Sequence, residues 1–332
     1  MDEATKQQLA AILQVQGAVF IRELFRDLGI PHSGTKDELR SRAETALEDG
    51  TLTEARVRDW MAAVEGWGDQ TVQLRRVRDG HSLSDGYGED DLEAALSGTD
   101  FGSLVGQPDA LEFPADLTPA RAVLRHGRVG LTWQARADKP KRASAKDRRR
   151  TIDGDLYEFR AYRHVPERHT VRLQIEIATG LCAVFNSVPD KSALDPTPVI
   201  EQAWLLAETI LATAPVAVDL DGAIRKLSDG NSPTLAARGR RMEGGGARID
   251  LTATTASDYR DSPEVSQVAQ TASGVAGLTN RRGIFNHAVA AARPRTVVIR
   301  LNQAEDTLSV QAQMDEEQMW NLLHMVADAA TP

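Results

Sequence analysis

The hydrophobic pattern changes its period near residue 120, and this change constrains the fold more than any other feature of the sequence. Before that point apolar residues such as Leu24 and Leu28 recur at the spacing of one helix face. After it, segments such as 171–178 alternate apolar and polar side chains, as half-buried strands do. Ser262 followed by Pro263 predicts the start of a later helix. The sequence therefore predicts an α+β chain, with a small all-α N-terminal domain and a mainly antiparallel remainder.

The same patterns predict how the chain is divided. Residues 1–78 are predicted as a helical domain, and residues 79–118, rich in Gly, Ser, Asp and Glu, as an acidic linker. The later segments are predicted as an α+β region at 119–228 with a basic loop at 136–150, a flexible loop at 229–247 and a second α+β region at 248–332. Both α+β regions contain a strand hairpin followed by a helix, which is compatible with an internal duplication.

Charge is strongly segregated along the chain. Residues 1–120 contain 11 Lys and Arg against 23 Asp and Glu, whereas residues 121–168 contain 14 against 6. A basic middle between acidic flanks indicates contact with nucleic acid or another polyanion, although a solvated loop has the same composition. The basic residues of the predicted loop are Arg136, Lys139, Lys141, Arg142, Lys146, Arg148, Arg149 and Arg150. We expect those from Lys139 onward to contact DNA phosphates, which makes binding sensitive to salt.

Aromatic residues interleave with arginines after this loop. The two-residue period of a strand places Tyr157 and Phe159 on one face, and Tyr162 follows them. An aromatic–arginine surface can stack bases. We expect instead that these rings belong to the core and that the basic loop alone contacts phosphate.

The segment 20–47 has the pattern of two helices joined by a turn. Leu24 and Leu28 line the inner face of the first helix, and Leu39 and Leu47 line that of the second. Gly29 supplies the positive φ that a chain needs to leave a helix. The start of the second helix, with its unpaired backbone N–H groups, is a natural seat for a phosphate.

These apolar positions, the turn Gly29-Ile30-Pro31, the segment 33–36 and Arg42 resemble the SAP domain, a helix–turn–helix module. The resemblance implies that the turn and the start of the second helix bind duplex DNA. The contacts that it implies are Gly34, Thr35, Lys36 and Arg40, with Arg22 and Arg26 beside them.

Two alternatives remain open for these surfaces. Residues 17–50 carry five basic residues against seven acidic ones, and this balance fits a protein contact as well as a DNA contact of the SAP-like domain. The acidic residues Glu89, Asp90 and Asp91 could also lie on the basic loop and cover it.

The sequence contains no motif that indicates catalysis, a cofactor or a metal. Gly29 to Lys36 resembles a phosphate-binding loop, but its Lys and Thr are transposed and a helix precedes it. The histidines lack the spacing of metal ligands, and Cys182 lies within a predicted strand, where a thiol is inert. We therefore expect a non-enzymatic cytoplasmic protein, without membrane association, cofactor or small-molecule substrate.

Together these patterns predict a protein that binds double-stranded DNA phosphates largely without sequence specificity. Its contacts would be the SAP-like turn and the basic loop, and it would associate with the nucleoid as a tether or as one subunit of a larger DNA-associated complex. The alternative is a protein–protein adaptor whose SAP-like domain contacts a protein partner.

Overall fold

An antiparallel sheet of eleven strands forms the centre of the computed structural model. The structure describes residues 18–64, 68–78, 83, 86–107, 114–188, 194–230, 234–253, 258–289 and 295–331. The strands of the sheet are β1 (Gly68–Arg76), β2 (Thr118–Arg125), β3 (Arg128–Arg142), β6 (Tyr162–Glu176), β7 (Leu181–Asn186), β8 (Val216–Ala217), β9 (Leu235–Gly244), β10 (Ala247–Thr252), β11 (Thr279–Val289), β12 (Arg295–Asn302) and β13 (Thr307–Gln313). Their order across the sheet is β10-β9-β11-β12-β13-β1-β7-β6-β3-β2, and the short β8 pairs with β1.

Helices and a separate hairpin complete the described part of the chain. The hairpin consists of β4 (Arg148–Ile152) and β5 (Asp155–Phe159). The helices are α1 (Ala18–Asp27), α2 (Lys36–Glu48), α3 (Glu54–Val64), α4 (Glu89–Leu96), α5 (Thr197–Leu211), α6 (Leu220–Asp229), α7 (Pro263–Ser273) and α8 (Glu316–Ala329). The fold class is therefore α+β with a mostly antiparallel sheet, as the sequence predicts. No helix in these ranges is long and apolar enough to span a membrane.

The strand β1 lies at the centre of the sheet, although it falls within the segment 1–78 that we predicted to be helical. Val72 of this strand pairs with Phe185 of β7 on one side and with Leu308 of β13 on the other. Its apolar alternation is limited to Val72 and Leu74, too few residues to distinguish a strand from the end of a helical domain.

Parts of the predicted linker and of the predicted flexible loop also belong to the folded structure. Leu92 and Leu96 of α4 are completely buried, and the Phe101 ring packs edge-on against Trp133 with centroids 4.6 Å apart. The segment 229–247, predicted as a loop, contains β9 instead. Its arginines concealed the strand pattern because a charged residue, Arg240, is buried inside the fold, where it donates hydrogen bonds to Asp229 and Asn280.

The two sides of β1 share a common strand order. The first half contains α4, the strands β2-β3-β6-β7 and α5, and the second half contains α6, the strands β9-β11-β12-β13 and α8. Among the described elements, the hairpin β4–β5, the strand β10 and the helix α7 have no counterpart in the other half. The helices of the two halves lie on opposite faces. Cys182 and Val184 of β7 point into the core that contains α5, whereas Ala183 and Phe185 point into the core that contains α8. Each half therefore keeps one sheet face free of its own helices.

The three N-terminal helices have a core of their own. Leu24 of α1, Leu39 of α2 and Val57 of α3 meet there and are completely or almost completely buried. Gly29 has a φ of 70° and ends the first helix.

Candidate nucleic-acid interface

A basic two-stranded arm extends from the sheet. The strands β3 and β6 are 15 residues long and pair over their whole length, from Arg128 opposite Glu176 to Arg142 opposite Tyr162. The neighbouring strands end earlier, because β2 pairs with β3 only as far as residue 134 and β7 pairs with β6 only from residue 171. Residues 137–167, hereafter the arm, therefore form a ribbon beside which the described part of the chain places no further strand, and the β4–β5 hairpin lies at its end.

The prediction that residues 136–150 form a loop is wrong. Residues 136–142 continue β3 and residues 148–150 begin β4, so only a short turn separates them. An uncovered ribbon buries neither face, and its sequence therefore lacks the apolar alternation that marks a strand. The side chains of Lys139 and Lys141, both predicted DNA contacts, lie outside the described residues.

The turn between β3 and β4 is fixed by one carboxylate. Asp147 accepts hydrogen bonds from the guanidinium of Arg142 and from the backbone N–H of Ala161, the latter at 2.8 Å. Arg142 also donates to the Ala161 carbonyl oxygen at 3.0 Å. These hydrogen bonds, that of Arg142 first, lower the pKa of Asp147 to about 2. The predicted contact Arg142 is thus an internal partner of the arm.

One face of the terminal hairpin combines arginines with aromatic rings. Arg148 lies directly opposite Phe159, and Arg150 directly opposite Tyr157, so all four side chains project from the same face. The rings are 47% (Tyr157) and 49% (Phe159) exposed, with centroids 6.5 Å apart. The prediction that they belong to the core is wrong, because no second layer covers a two-stranded hairpin.

Several cations of the arm form neither an ion pair nor a side-chain hydrogen bond within the described part of the chain. They are Lys146, Arg148, Arg150, Arg160 and Arg163. The positive charge of Arg160 adds to the hydrogen bonds from Arg142 and Ala161 in lowering the pKa of Asp147. Arg149 lies on the opposite hairpin face, with its Nη2 4.0 Å from Glu158 Oε1. Arg160 and Arg163 are not among the predicted contacts, although the arginine-rich composition that continues past residue 150 was a signal for them.

The start of α2 is arranged differently from the open phosphate seat that the sequence predicts. The Thr35 backbone N–H donates to Glu38 Oε2 at 2.6 Å, and the Glu38 N–H donates to Thr35 Oγ1 at 3.3 Å. The hydrogen bonds that the Thr35 N–H and then the Thr35 hydroxyl donate to Glu38 Oε2 lower the pKa of the Glu38 carboxyl. A carboxylate of the protein itself therefore occupies the position that the resemblance gives to a phosphate.

The other predicted contacts of this region are exposed or internally bonded. Arg22 Nη2 donates to the Gly34 carbonyl oxygen at 2.9 Å, which supports the turn from within. Arg40 Nε lies 2.9 Å from Glu44 Oε1 along the same helix. Lys36 is exposed at the first position of α2, and Arg26 is exposed in the last turn of α1.

Comparison with known proteins adds no family to this description. The chain matches no protein-family model and no curated protein. Within the described ranges, no group of three or more His, Cys, Asp or Glu side chains is placed to hold a metal ion.

Proposed function

We propose that this protein binds the phosphates of duplex DNA through the arm, largely without sequence specificity. The observation that carries the proposal is the set of five cations on the arm that form neither an ion pair nor a side-chain hydrogen bond among the described residues. A two-stranded β-ribbon has the dimensions of the DNA major groove, and several DNA-binding folds use strands in this way. The arm presents such a ribbon with a net positive charge, since residues 137–167 contain nine Lys and Arg against six Asp and Glu.

Phosphate contacts of this kind have a characteristic dependence on salt. Each neutralised phosphate releases condensed counterions, so five contacts give an affinity that falls roughly 500-fold between about 50 and 200 mM salt. Because phosphates carry no base identity, we expect little difference in affinity between duplexes of different sequence. A role as a non-enzymatic tether within a larger DNA-associated complex, located on the nucleoid, is consistent with such binding.

In this proposal the SAP-like domain makes a second contact. Lys36 and Arg26 are its exposed cations, and Gly34 and Thr35 form the turn that would approach the DNA backbone. Because Glu38 already bonds the Thr35 N–H, this contact would be weaker than that of the arm.

The hydrogen bond between the Thr35 N–H and Glu38 also favours a second candidate function. A helix start that is closed by its own carboxylate suits a protein contact better than a phosphate contact. The chain would then be an adaptor, with the SAP-like domain on a protein partner.

Fluorescence anisotropy tests the proposal with a labelled duplex of about 30 base pairs at two salt concentrations. The decisive variant is Arg148→Glu/Arg150→Glu, with Arg78→Glu/Arg225→Glu as a control that makes the same charge change at exposed positions outside the arm. We expect the arm variant to weaken binding and flatten its salt dependence, and the control to bind nearly as the unmodified chain does.

Equal losses in the two variants would overturn the proposal for the arm, as would the absence of binding at low salt. Lys36→Glu, measured in the same assay, separates the contribution of the SAP-like domain. The adaptor function would be supported if the chain failed to bind duplex DNA and if a stoichiometric protein partner stayed bound to it after nuclease treatment.

A further inference from the structure

Two arginines have similar places in the strand order of the two halves but different surroundings. In the first half, Arg128 lies opposite Glu176, the last residue of β6, with Nη2 3.1 Å from Oε1. Its Nη1 lies 3.4 Å from Oε1 of Glu316, the first residue of α8. The guanidinium also stacks over Trp320 at 4.5 Å. Two carboxylates thus neutralise Arg128 on the open face of the first half.

In the second half, Arg282 has a similar place by strand order, although it lies level with Gln73 of β1, whereas Arg128 lies one residue beyond the level of Arg75. It lies opposite Asn302, the last residue of β12, just as Arg128 lies opposite the last residue of β6. The first residue of the equivalent helix α5 is Thr197, which lines the same cleft as Arg282. Neutral side chains therefore stand at both positions that carry carboxylates in the first half.

This cleft has a volume of about 470 Å³, which is within the range of small-ligand sites. Its floor is the face of β1 and β13 that points away from α8, with Thr71, Gln73, Thr307 and Ser309. These side chains are small or polar, and they leave a hollow with many hydrogen-bonding groups.

The cleft is lined by two arginines, Arg282 and Arg300, and by one carboxylate, that of Glu305. Neither Arg282 nor Arg300 has a carboxylate partner within the described part of the chain, and Arg300 Nε is buried there without a hydrogen-bond partner. A buried donor left unsatisfied is costly, so proteins rarely keep one without a use. Of the nearby acids, Glu305 is exposed at the rim, and Asp195 accepts a hydrogen bond from the Thr197 N–H at 3.0 Å.

We infer that this cleft binds a small polar organic anion, with a carboxylate or phosphate group between Arg282 and Arg300. The first half of the molecule shows how the same arrangement holds carboxylates. In the second half the anion is supplied by the ligand, and the hydroxyl and amide groups of the floor bind its remaining polar atoms. This inference does not depend on DNA binding by the arm.

Isothermal titration calorimetry with citrate and with ribose 5-phosphate tests the inference and distinguishes the two anionic groups. Ribose and sodium chloride at matched ionic strength are the control titrants. We expect at least one anion to bind with a stoichiometry of one, and Arg282→Gln/Arg300→Gln to weaken it by tenfold or more, since hydrogen bonds to charged groups contribute about 1.5–3 kcal/mol. Arg225→Gln, on the exposed side of α6, is the matched control and should bind normally.

A second variant, Thr197→Glu, introduces into the cleft a negative charge that would compete with the anionic ligand. Thr197→Glu places at the start of α5 the carboxylate that Glu316 provides at the start of α8, and it should weaken anion binding while the circular dichroism spectrum stays unchanged. The inference is overturned if neither anion binds up to about 10 mM, or if the arginine variant and Thr197→Glu bind as tightly as the unmodified chain.

Discussion

Asp147 and Arg142 join the two ends of the turn at which the arm meets its terminal hairpin. The carboxylate of Asp147 accepts hydrogen bonds from both Nη atoms of Arg142, and it also bonds the N–H of Ala161 on the returning strand at 2.8 Å. The ionised side chain of Asp147 therefore fixes the orientation of the hairpin that carries Arg148 and Arg150.

Replacing Asp147 by Asn should loosen the hairpin without unfolding the sheet. The amide keeps the size of the side chain but loses the charge that holds Arg142. We expect faster hydrogen exchange at the Ala161 amide, measured by nuclear magnetic resonance, and an almost unchanged melting temperature. Asp153→Asn, in the exposed tip turn, is the matched control. Equal protection of the Ala161 amide in all three proteins would contradict the prediction.

Low pH should loosen the hairpin of the unmodified chain, as the Asp147→Asn substitution does. The pKa of Asp147 is lowered from 3.8 to about 2 in the folded arm, so its contribution is fully present above the unfolded value and is lost as the pH falls through the folded one. We expect protection of the Ala161 amide, corrected for intrinsic exchange, to decline between about pH 4 and pH 2. Loss of protection already near pH 6 would point to another group.

The exposed rings of Tyr157 and Phe159 should contribute more to the affinity for single-stranded DNA than to the affinity for duplex DNA. Stacking on an aromatic side chain contributes about 1–3 kcal/mol per base, but paired bases are not available to it. Tyr157→Ala/Phe159→Ala should therefore weaken binding of a labelled single strand about tenfold and that of a duplex about threefold or less, as measured by anisotropy. Leu156→Ala changes an exposed apolar residue on the other hairpin face and serves as control. A tenfold loss for the duplex would show that the rings enter it.

Glu38→Gln tests whether the start of α2 is a phosphate seat. Gln retains the reciprocal hydrogen bonds with Thr35 but removes the negative charge from the helix start. A charge at this position contributes about 0.3–1 kcal/mol, so duplex affinity should rise roughly two- to fivefold if a phosphate binds there. The control is Glu48→Gln at the other end of α2. An unchanged affinity would exclude the turn from the DNA contact and favour the adaptor.

The continuous sheet should couple the stability of its two halves. Leu173 in β6 and Leu301 in β12 are completely buried, one in each half. Truncating either to Ala should cost about 2–5 kcal/mol. Because β1 joins the halves, each variant should reduce hydrogen-exchange protection in both β6 and β12, measured by mass spectrometry. Loss of protection confined to the mutated half would contradict this coupling.

Local patterns predicted those features that depend on neighbouring residues. Ser262 and Pro263 begin α7 as the sequence indicates, with Ser262 Oγ accepting from the Val265 N–H at 3.4 Å. Tyr157 and Phe159 share a face, as the period of a strand requires. In each case the signal lies within a few residues of the structure that it specifies.

Features that depend on distant residues were not predictable in this way. The central position of β1 arises from pairing with strands that follow much later in the chain, and nothing within Gly68–Arg76 indicates them. The burial of Tyr157 was misjudged because only the fold shows that its hairpin has no covering layer. That Arg282, like Arg128, lies opposite the last residue of a neighbouring strand likewise becomes visible only when the strand pairing is known.

The early position of β1 in the sequence has a consequence for the order of folding. During synthesis Val72 emerges long before Phe185, and Leu308 follows later still, so one hydrogen-bonding edge of the central strand lacks its partner until β7 has been made and the other until β13 has been made. Contacts of such sequence separation form slowly, and a strand with two open edges is prone to pair with other chains. We therefore expect the nascent chain to depend on chaperones until its last strand has been made.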